Sequence, residues 1–191
     1  DGLAGTVSFV ATLAFAPHIE IGILSGLLLS LALLIYRSMR PRVAVLGRHP
    51  DGTWRDARRF GLPAAHPGLA ILRFDGPLHF VNAATFEDAV LAVERDHPGL
   101  KVLLLSCAGI NDMDASGVEA LRRVHRQLAE GGRTLACCGL KKQVLDVLDR
   151  TGLRSLLGGH AAYRTEEHAL QHLLPGLDGI QPANLRRGFE W

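Results

Sequence analysis

The stretch Asn111-Asp112-Met113-Asp114-Ala115-Ser116-Gly117 holds the residues best placed to do chemistry. It follows an apolar run, Val102–Ser106, and precedes a helical pattern. It therefore sits at the carboxyl end of a strand, where sites collect in open α/β sheets. Ser116 falls in the first helical turn, beside backbone N–H groups that lack an intrahelical partner. A phosphate there would be favoured by the helix dipole and opposed by the carboxylates of Asp114 and Glu119. The plainer reading is that Asp114 or Ser116 caps the helix. Spacing alone leaves both open.

The other candidates are weaker. His168 and His172 stand i, i+4 and could share a metal, but no Cys or carboxylate group converges on them in sequence, so a solvated helix face is the plainer reading. Cys137 and Cys138 are neighbours in a strand, so they point to opposite faces and read as core. Arg55, Arg58 and Arg59 form a basic cluster suited to lipid headgroups, to a partner or to water. No Walker loop, dinucleotide fingerprint or catalytic constellation is present, so the chain reads as a non-enzyme without a cofactor. Aromatic residues are 6% of the chain and scattered, which argues against a stacking platform for nucleic acid.

These residues need a scaffold. Val43–Leu46, Leu69–Phe74, Val102–Ser106 and Thr134–Cys138 read as strands; Trp54–Phe60 and Leu78–Val81 read as short strands. The all-apolar Val102–Ser106 marks a strand buried on both faces. Asn82 is placed to cap a helix running to Asp96, with Phe86, Val90 and Val93 on one face. A second helix, Ala115–Glu130, buries Val118, Leu121, Val124 and Leu128 and stops at Gly131-Gly132. Gln143–Asp149 and Glu166–Leu174 are further helices. Strands alternating with helices predict a mixed or parallel sheet with helices packed on it.

Ahead of this lies a different kind of sequence. Residues 1–36 hold two charged side chains, Asp1 and Glu20; all 21 Lys and Arg follow, with the other 17 acids. Gly2–Ala16 and Ile21–Tyr36 are apolar runs, the second stretched to Ile19–Tyr36 as a helix, separated by a turn-like break at Pro17, His18 and Glu20. As helices they would span roughly 20 and 27 Å, against about 30 Å for a bilayer core. They read as a membrane hairpin. Small residues at Gly22, Ser25, Gly26 and Ser30 give one helix face a smooth stripe for close helix packing. Arg37, Arg40, Arg42 and Arg48 put the end of the second helix, and all that follows, on the cytoplasmic side. Glu20 then lies at the opposite interface. With no Met at Asp1 and no secretory pattern, the chain reads as a piece of a longer membrane protein. Three cysteines point to a reducing compartment.

In this order the motifs resemble the carboxyl-terminal part of SulP anion transporters, called solute carrier family 26 in animals. Glu20-Ile21-Gly22-Ile23 with Gly26 and Ser30, then Tyr36-Arg37-Ser38 and Arg40-Pro41-Arg42-Val43, is similar to their last membrane helix and its exit. Leu46-Gly47-Arg48 and Arg55-Asp56 resemble the first strands of their cytosolic domain. Asp75-Gly76-Pro77-Leu78-His79-Phe80-Val81-Asn82-Ala83 resembles the hallmark before its first helix. Asp114-Ala115-Ser116-Gly117 matches the Asp-Ser-Ser-Gly-type loop of STAS domains, with Ala115 where many relatives have Ser or Thr.

The resemblance implies an α/β STAS domain, a mixed sheet flanked by helices, preceded by a transmembrane hairpin. Residues 1–36 would be the last two membrane helices, 37–42 a linker, 43–174 the cytoplasmic STAS domain and 175–191 a flexible tail. The anion site would lie on helices upstream, so no substrate residue falls in this chain. The STAS domain would regulate or assemble a sulfate-like anion transporter at the plasma membrane. Its expected partners are the upstream membrane domain, the lipid bilayer, a second copy and a cytoplasmic regulatory protein. Asp112, Asp114, Ser116 and Gly117 would form a regulatory loop, since soluble anti-sigma-factor antagonists are phosphorylated at the matching Ser. The short connection Asp96–Leu100 and the Ala/Arg/Leu-rich composition favour a bacterial protein. The alternative is a membrane-tethered partner-switch module driven by Ser116 phosphorylation.

Overall fold

A computed structural model describes residues 5–6, 9–10, 19–161 and 163–177. The chain forms two units, 1–40 and 41–191. In the first, helix α1 spans Ile19–Met39. Its 21 residues rise roughly 31 Å. Among the described residues, it is the one helix long and apolar enough to cross a membrane. Ile23, Leu24, Leu27, Leu28, Leu31 and Leu34 are exposed. Of the small-residue stripe, Gly22 and Gly26 are buried, Ser25 is half-buried and Ser30 is exposed. Ser25 donates its hydroxyl to the Gly22 carbonyl at 2.9 Å, which satisfies that polar group within the helix. Apart from residues 5–6 and 9–10, the first half of the expected hairpin and its turn lie outside the described residues.

The expected linker, 37–42, is shorter than the sequence suggested. Arg37, Ser38 and Met39 continue α1, and Arg42 begins the first strand. Pro41 sets the break, because it has no N–H and disfavours the α conformation in the residue before it.

In the second unit, β1 (Arg42–Arg48), β2 (Trp54–Asp56), β3 (Leu69–Asp75), β4 (Val102–Ser106) and β5 (Thr134–Cys138) form one sheet. Their spatial order is β2-β1-β3-β4-β5. β1 pairs antiparallel with β2 and β3, while β3, β4 and β5 run parallel. Parallel neighbours need a crossover. Helix α3 (Ala83–Asp96) connects β3 to β4, and α4 (Ala115–Glu130) connects β4 to β5. The sheet is therefore mixed, as expected.

Both faces of the sheet are covered, and period-two alternation sorts the strand residues between them. Leu103, Leu105, Leu135 and Cys137 join Phe86, Val90, Leu121, Val124 and Leu128 in the larger core. Leu104, Ala136 and Cys138 join Ala169, Leu170 and Leu173 of α7 (Glu166–Leu173) in the smaller one. Cys137 and Cys138 thus lie on opposite faces, as strand geometry requires. Every residue of β4 is buried.

Three local expectations are corrected. Leu78–Val81 is not a strand: Leu78 makes a single bridge to Met113 before the chain turns into α3. Only Trp54–Asp56 of the 54–60 segment is strand; Ala57–Phe60 is a short helix, α2, because the Asp56 side chain caps it through the Arg59 N–H. α5 covers Lys142–Arg150, and past it lie two elements that no sequence pattern announces, α6 (Leu153–Leu157) and the 3-10 turn Gly158–Ala161. These are five and four residues long, too short to show a period. Of the expected tail, 175–191, only the first residues are described: Leu174–Gly176 is a 3-10 turn and Leu177 packs into the smaller core, while 178–191 lie outside the described residues.

Candidate functional site

After β4 the chain is pinned on both sides. The Cys107 N–H donates to the Cys138 carbonyl at 2.8 Å. Ile110 and Met113 are buried and anchor the loop in the larger core. Gly109 passes so close to β3 that a Cβ there would lie 2.6 Å from the Phe74 carbonyl oxygen. Only a residue without a side chain fits that approach.

The pinned loop is clamped to the segment before α3. The Leu78 N–H donates to the Asp112 carbonyl at 2.9 Å, and the Asp114 N–H donates to the Leu78 carbonyl at 3.2 Å. Side chains reinforce this pairing. One Asp112 carboxylate oxygen accepts from the Met113 N–H at 2.9 Å, and the other lies 3.2 Å from His79 Nε2. Asp114 Oδ2 accepts from the Phe80 N–H at 2.9 Å. Asp114 Oδ1 accepts from the Gly117 N–H at 2.8 Å, which makes Asp114 the cap of α4. One carboxylate therefore holds two elements together.

Asn82 shapes the other side of the clamp. It stands at the start of α3, where its carbonyl accepts from the Phe86 N–H at 3.1 Å but its side chain makes no capping bond. Its oxygen accepts from the His79 N–H at 3.0 Å and its amide donates to the Pro77 carbonyl at 2.9 Å. The expected cap is a loop brace instead, because Asn82 is buried and both its polar ends need partners.

Asp114 titrates below the ordinary carboxyl range. Partial burial pushes its pKa up, but the N–H donors of Gly117 and Phe80, the nearby His79 and the Ser116 N–H outweigh that. The ionised form is the one that clamps.

Of the residues singled out in the sequence, Asp112, Asp114, Ser116 and Gly117 do come together at one loop. Ser116 is exposed on the first turn of α4, as is Ala115. Gly117 is buried, and a Cβ on it would lie 2.1 Å from the Leu78 carbonyl oxygen. Sequence reasoning did not assign His79, Phe80 or Lys141 to this place. Phe80 is 73% exposed beside the clamp, and Lys141 donates to the Asn111 side chain. The breaker Asp75-Gly76-Pro77 was the available signal for the first two, but not for what they would touch. Nothing local ties Lys141, thirty positions on, to this loop.

The remaining candidates stand apart. His168 and His172 stack edge to face at 4.6 Å between ring centroids, and both lie near Tyr163. Among the described residues, no group of three or more His, Cys, Asp or Glu is arranged to hold a metal ion. What the clamped loop can do is present an exposed hydroxyl and an exposed aromatic ring on a surface whose backbone is fixed.

A family model described as "STAS domain" matches residues 63–169, which contain the sheet's parallel half and the whole clamp. This chain belongs to the STAS domain family. Its curated relatives are transporters. "Sulfate transporter 4.1, chloroplastic" of Arabidopsis thaliana is 32% identical over 191 residues, covering 94% of this chain and 27% of that protein. "Sulfate anion transporter 1" of Homo sapiens is 28% identical over 229 residues, covering 97% and 31%. The chain thus spans about a quarter to a third of the curated relatives it matches. In fold it is similar to the murine Solute Carrier 26 family member A9 anion transporter in its inward-facing state, with a TM-score of 0.79 at 18% identity over 91% of this chain and 28% of that one. It is also similar to the SulP transporter STAS domain of Vibrio cholerae, with a TM-score of 0.51 at 22% identity over 64% of this chain and 94% of that one. The resemblance to the carboxyl-terminal STAS region of the SulP family is borne out.

Proposed function

We propose that this STAS chain is the carboxyl-terminal part of a secondary active anion transporter of the sulfate type. Its α/β unit acts as a regulatory and assembly domain, with no catalysis of its own. One observation carries this reading. The match to a sulfate transporter runs over 94% of the chain, so it takes in the apolar helix as well as the STAS unit. A domain likeness alone would stop near residue 63. Helix α1 then enters the bilayer, with the arginines from Arg37 onward on the cytoplasmic side. The first apolar run, Gly2–Ala16, pairs with it as the other half of a hairpin.

The test is uptake by the intact protein in vesicles, with labelled sulfate, bicarbonate and dicarboxylates. Uptake of at least one anion down an imposed gradient is the expected result; no uptake across the panel overturns the reading. The expected second copy is checked by the mass of the protein in nanodiscs.

Within this reading Asp112, Asp114, Ser116 and Gly117 form the regulatory loop. The support is that Ser116 is exposed while the backbone around it is fixed. A cytoplasmic partner would read Ser116, modified or not, beside Phe80. A membrane-tethered partner switch would use the same loop. It would show Ser116-dependent partner binding but no anion flux, so the uptake assay separates the two.

A further inference from the structure

We infer that His168 and His172 form a two-nitrogen clamp for a borderline divalent transition ion, with zinc as the simplest probe. They stand i, i+4 on α7 and so share one face of the helix. Helical metal motifs use that spacing to bring two imidazoles to one ion. The structure adds the distance. The ring centroids lie 4.6 Å apart. An ion bonded to each ring at ~2.0–2.1 Å, with an angle of about 90–110° between the bonds, needs centroids roughly 4.5–5.2 Å apart. The rings meet edge to face at 78°. A histidine ring turns about an axis that passes close to its centroid, and that torsion is broad. The two nitrogens can therefore converge while the ring centres stay in place.

The pair is held before any ion arrives. Thr165 caps α7 by accepting from the His168 N–H at 3.2 Å. Ala169, Leu170 and Leu173 are buried in the smaller core, which fixes the rotation of the helix. The Tyr163 ring lies 5.9 Å from each imidazole. Tyr163 is itself tied to the end of β5, where its carbonyl accepts from the Gly139 N–H at 3.1 Å. Burial raises the pKa of its phenol, so Tyr163 supports the pair by packing and not as a phenolate ligand.

The hydrogen bonds set the protons. His172 Nδ1 lies 2.8 Å from the His168 carbonyl oxygen, which can only accept, so Nδ1 carries the proton and Nε2 keeps a lone pair. A backbone carbonyl on the second ring nitrogen is the usual support of a metal-ligating histidine. His168 Nδ1 accepts from the Arg164 N–H at 3.3 Å, a long bond at an exposed residue. Ligation through His168 Nε2 shifts its proton to Nδ1 and hands the Arg164 N–H to water. The acids of the same turn are engaged elsewhere: Glu166 accepts from the Ser106 hydroxyl at 2.5 Å, and Glu167 lies 3.6 Å from Arg48. The clamp therefore has two protein ligands, with water in the remaining positions, and falls short of a three-residue cluster. An ion held there spans one turn of α7 and staples the helix that covers the smaller core.

The test uses the full chain without a polyhistidine tag, in detergent micelles at pH 7.5, titrated with zinc alone and followed by calorimetry and amide hydrogen exchange. One tight ion per chain is expected. At ten times the measured dissociation constant, exchange in α7 should slow about elevenfold, as for a ligand that binds only the closed helix, while β4 stays unchanged. His172→Gln and His168→Gln should each weaken binding at least tenfold with β4 still protected. His160→Gln, whose ring meets the Tyr163 hydroxyl at 3.5 Å, should bind as the parent does. Magnesium, which takes oxygen ligands, should neither bind nor slow exchange. No tight zinc ion, or equal affinity in the parent and His172→Gln, overturns the inference. So does a loss in His160→Gln as large as that in His172→Gln, or binding that leaves exchange in α7 unchanged.

Discussion

Gly117→Ala tests whether the loop and the segment before α3 are one mechanical unit. The added Cβ would sit 2.1 Å from the Leu78 carbonyl oxygen. Ordinary carbon–oxygen contacts begin near ~3.3 Å. The two must therefore separate by about 1.2 Å, and the obstacle is backbone, not a side chain that can swing away. Leu78 accepts from the Asp114 N–H at 3.2 Å and donates to Asp112 at 2.9 Å. Moving it breaks or weakens both bonds, at about 1 kcal/mol each. Overpacking adds about 1–3 kcal/mol. Replacing glycine within a helix returns up to about 1 kcal/mol. The net loss expected is about 2–4 kcal/mol, read as a lower urea midpoint by circular dichroism with an unchanged slope. Gly99→Ala is the control: a Cβ there would meet only the Pro67 carbonyl at 3.7 Å, so its midpoint should stay within about 0.5 kcal/mol of the parent. If Gly117→Ala unfolds where Gly99→Ala does, the clamp is not the tight contact described.

Asp114→Asn should cost about 1 kcal/mol by weakening the cap and the Phe80 bond. Because the folded pKa of Asp114 lies below its ordinary value of 3.8, its ionised form stabilises the fold above that pH. The difference between parent and variant in urea midpoint should shrink as pH falls below about 4. Ser116→Ala should change the midpoint by less than about 0.5 kcal/mol, since the side chain is exposed. Ser116→Glu should speed amide exchange at Phe80 while leaving β4 unchanged; equal rates at Phe80 would refute a link between Ser116 and the clamp. The three thiols should resist maleimide at pH 8 and react together on unfolding. All three are buried, the hydrogen bond that the Cys107 thiol makes to Cys137, together with burial, raises Cys107, and burial raises Cys138.

The sheet was largely legible because its pattern is local. The continuous run Val102–Ser106 marked a doubly buried strand, and the spacing Val118, Leu121, Val124, Leu128 marked α4 to its final turn. Short elements escaped for the same reason. Leu153–Leu157 has no room for a period, and Ala57–Phe60 becomes helical through a side-chain cap more than through propensity. Leu78–Val81 shows the other limit. Its apolar letters fit a strand, yet no neighbouring strand is available to it beyond one bridge to Met113. The site divides in the same way. Asp114, Ser116 and Gly117 are visible as a helix start. Their attachment to His79 and Phe80, some 34 positions earlier, depends on how β3 and β4 lie side by side, which no local spacing encodes.

That attachment changes what the exposed Ser116 can do. In an ordinary helix start, a phosphate on the second residue finds free N–H donors and is favoured by the dipole. Here the Gly117 and Ser116 N–H groups are already turned towards Asp114. A phosphate must compete with that carboxylate for the same donors and also bear its charge at close range. If the phosphate takes them, Asp114 is displaced, and with it goes the bond that holds the Phe80 N–H. Under the proposed regulatory role, a modification at Ser116 would then be felt at Phe80. A partner that recognises Phe80 would sense the state of Ser116 without touching it.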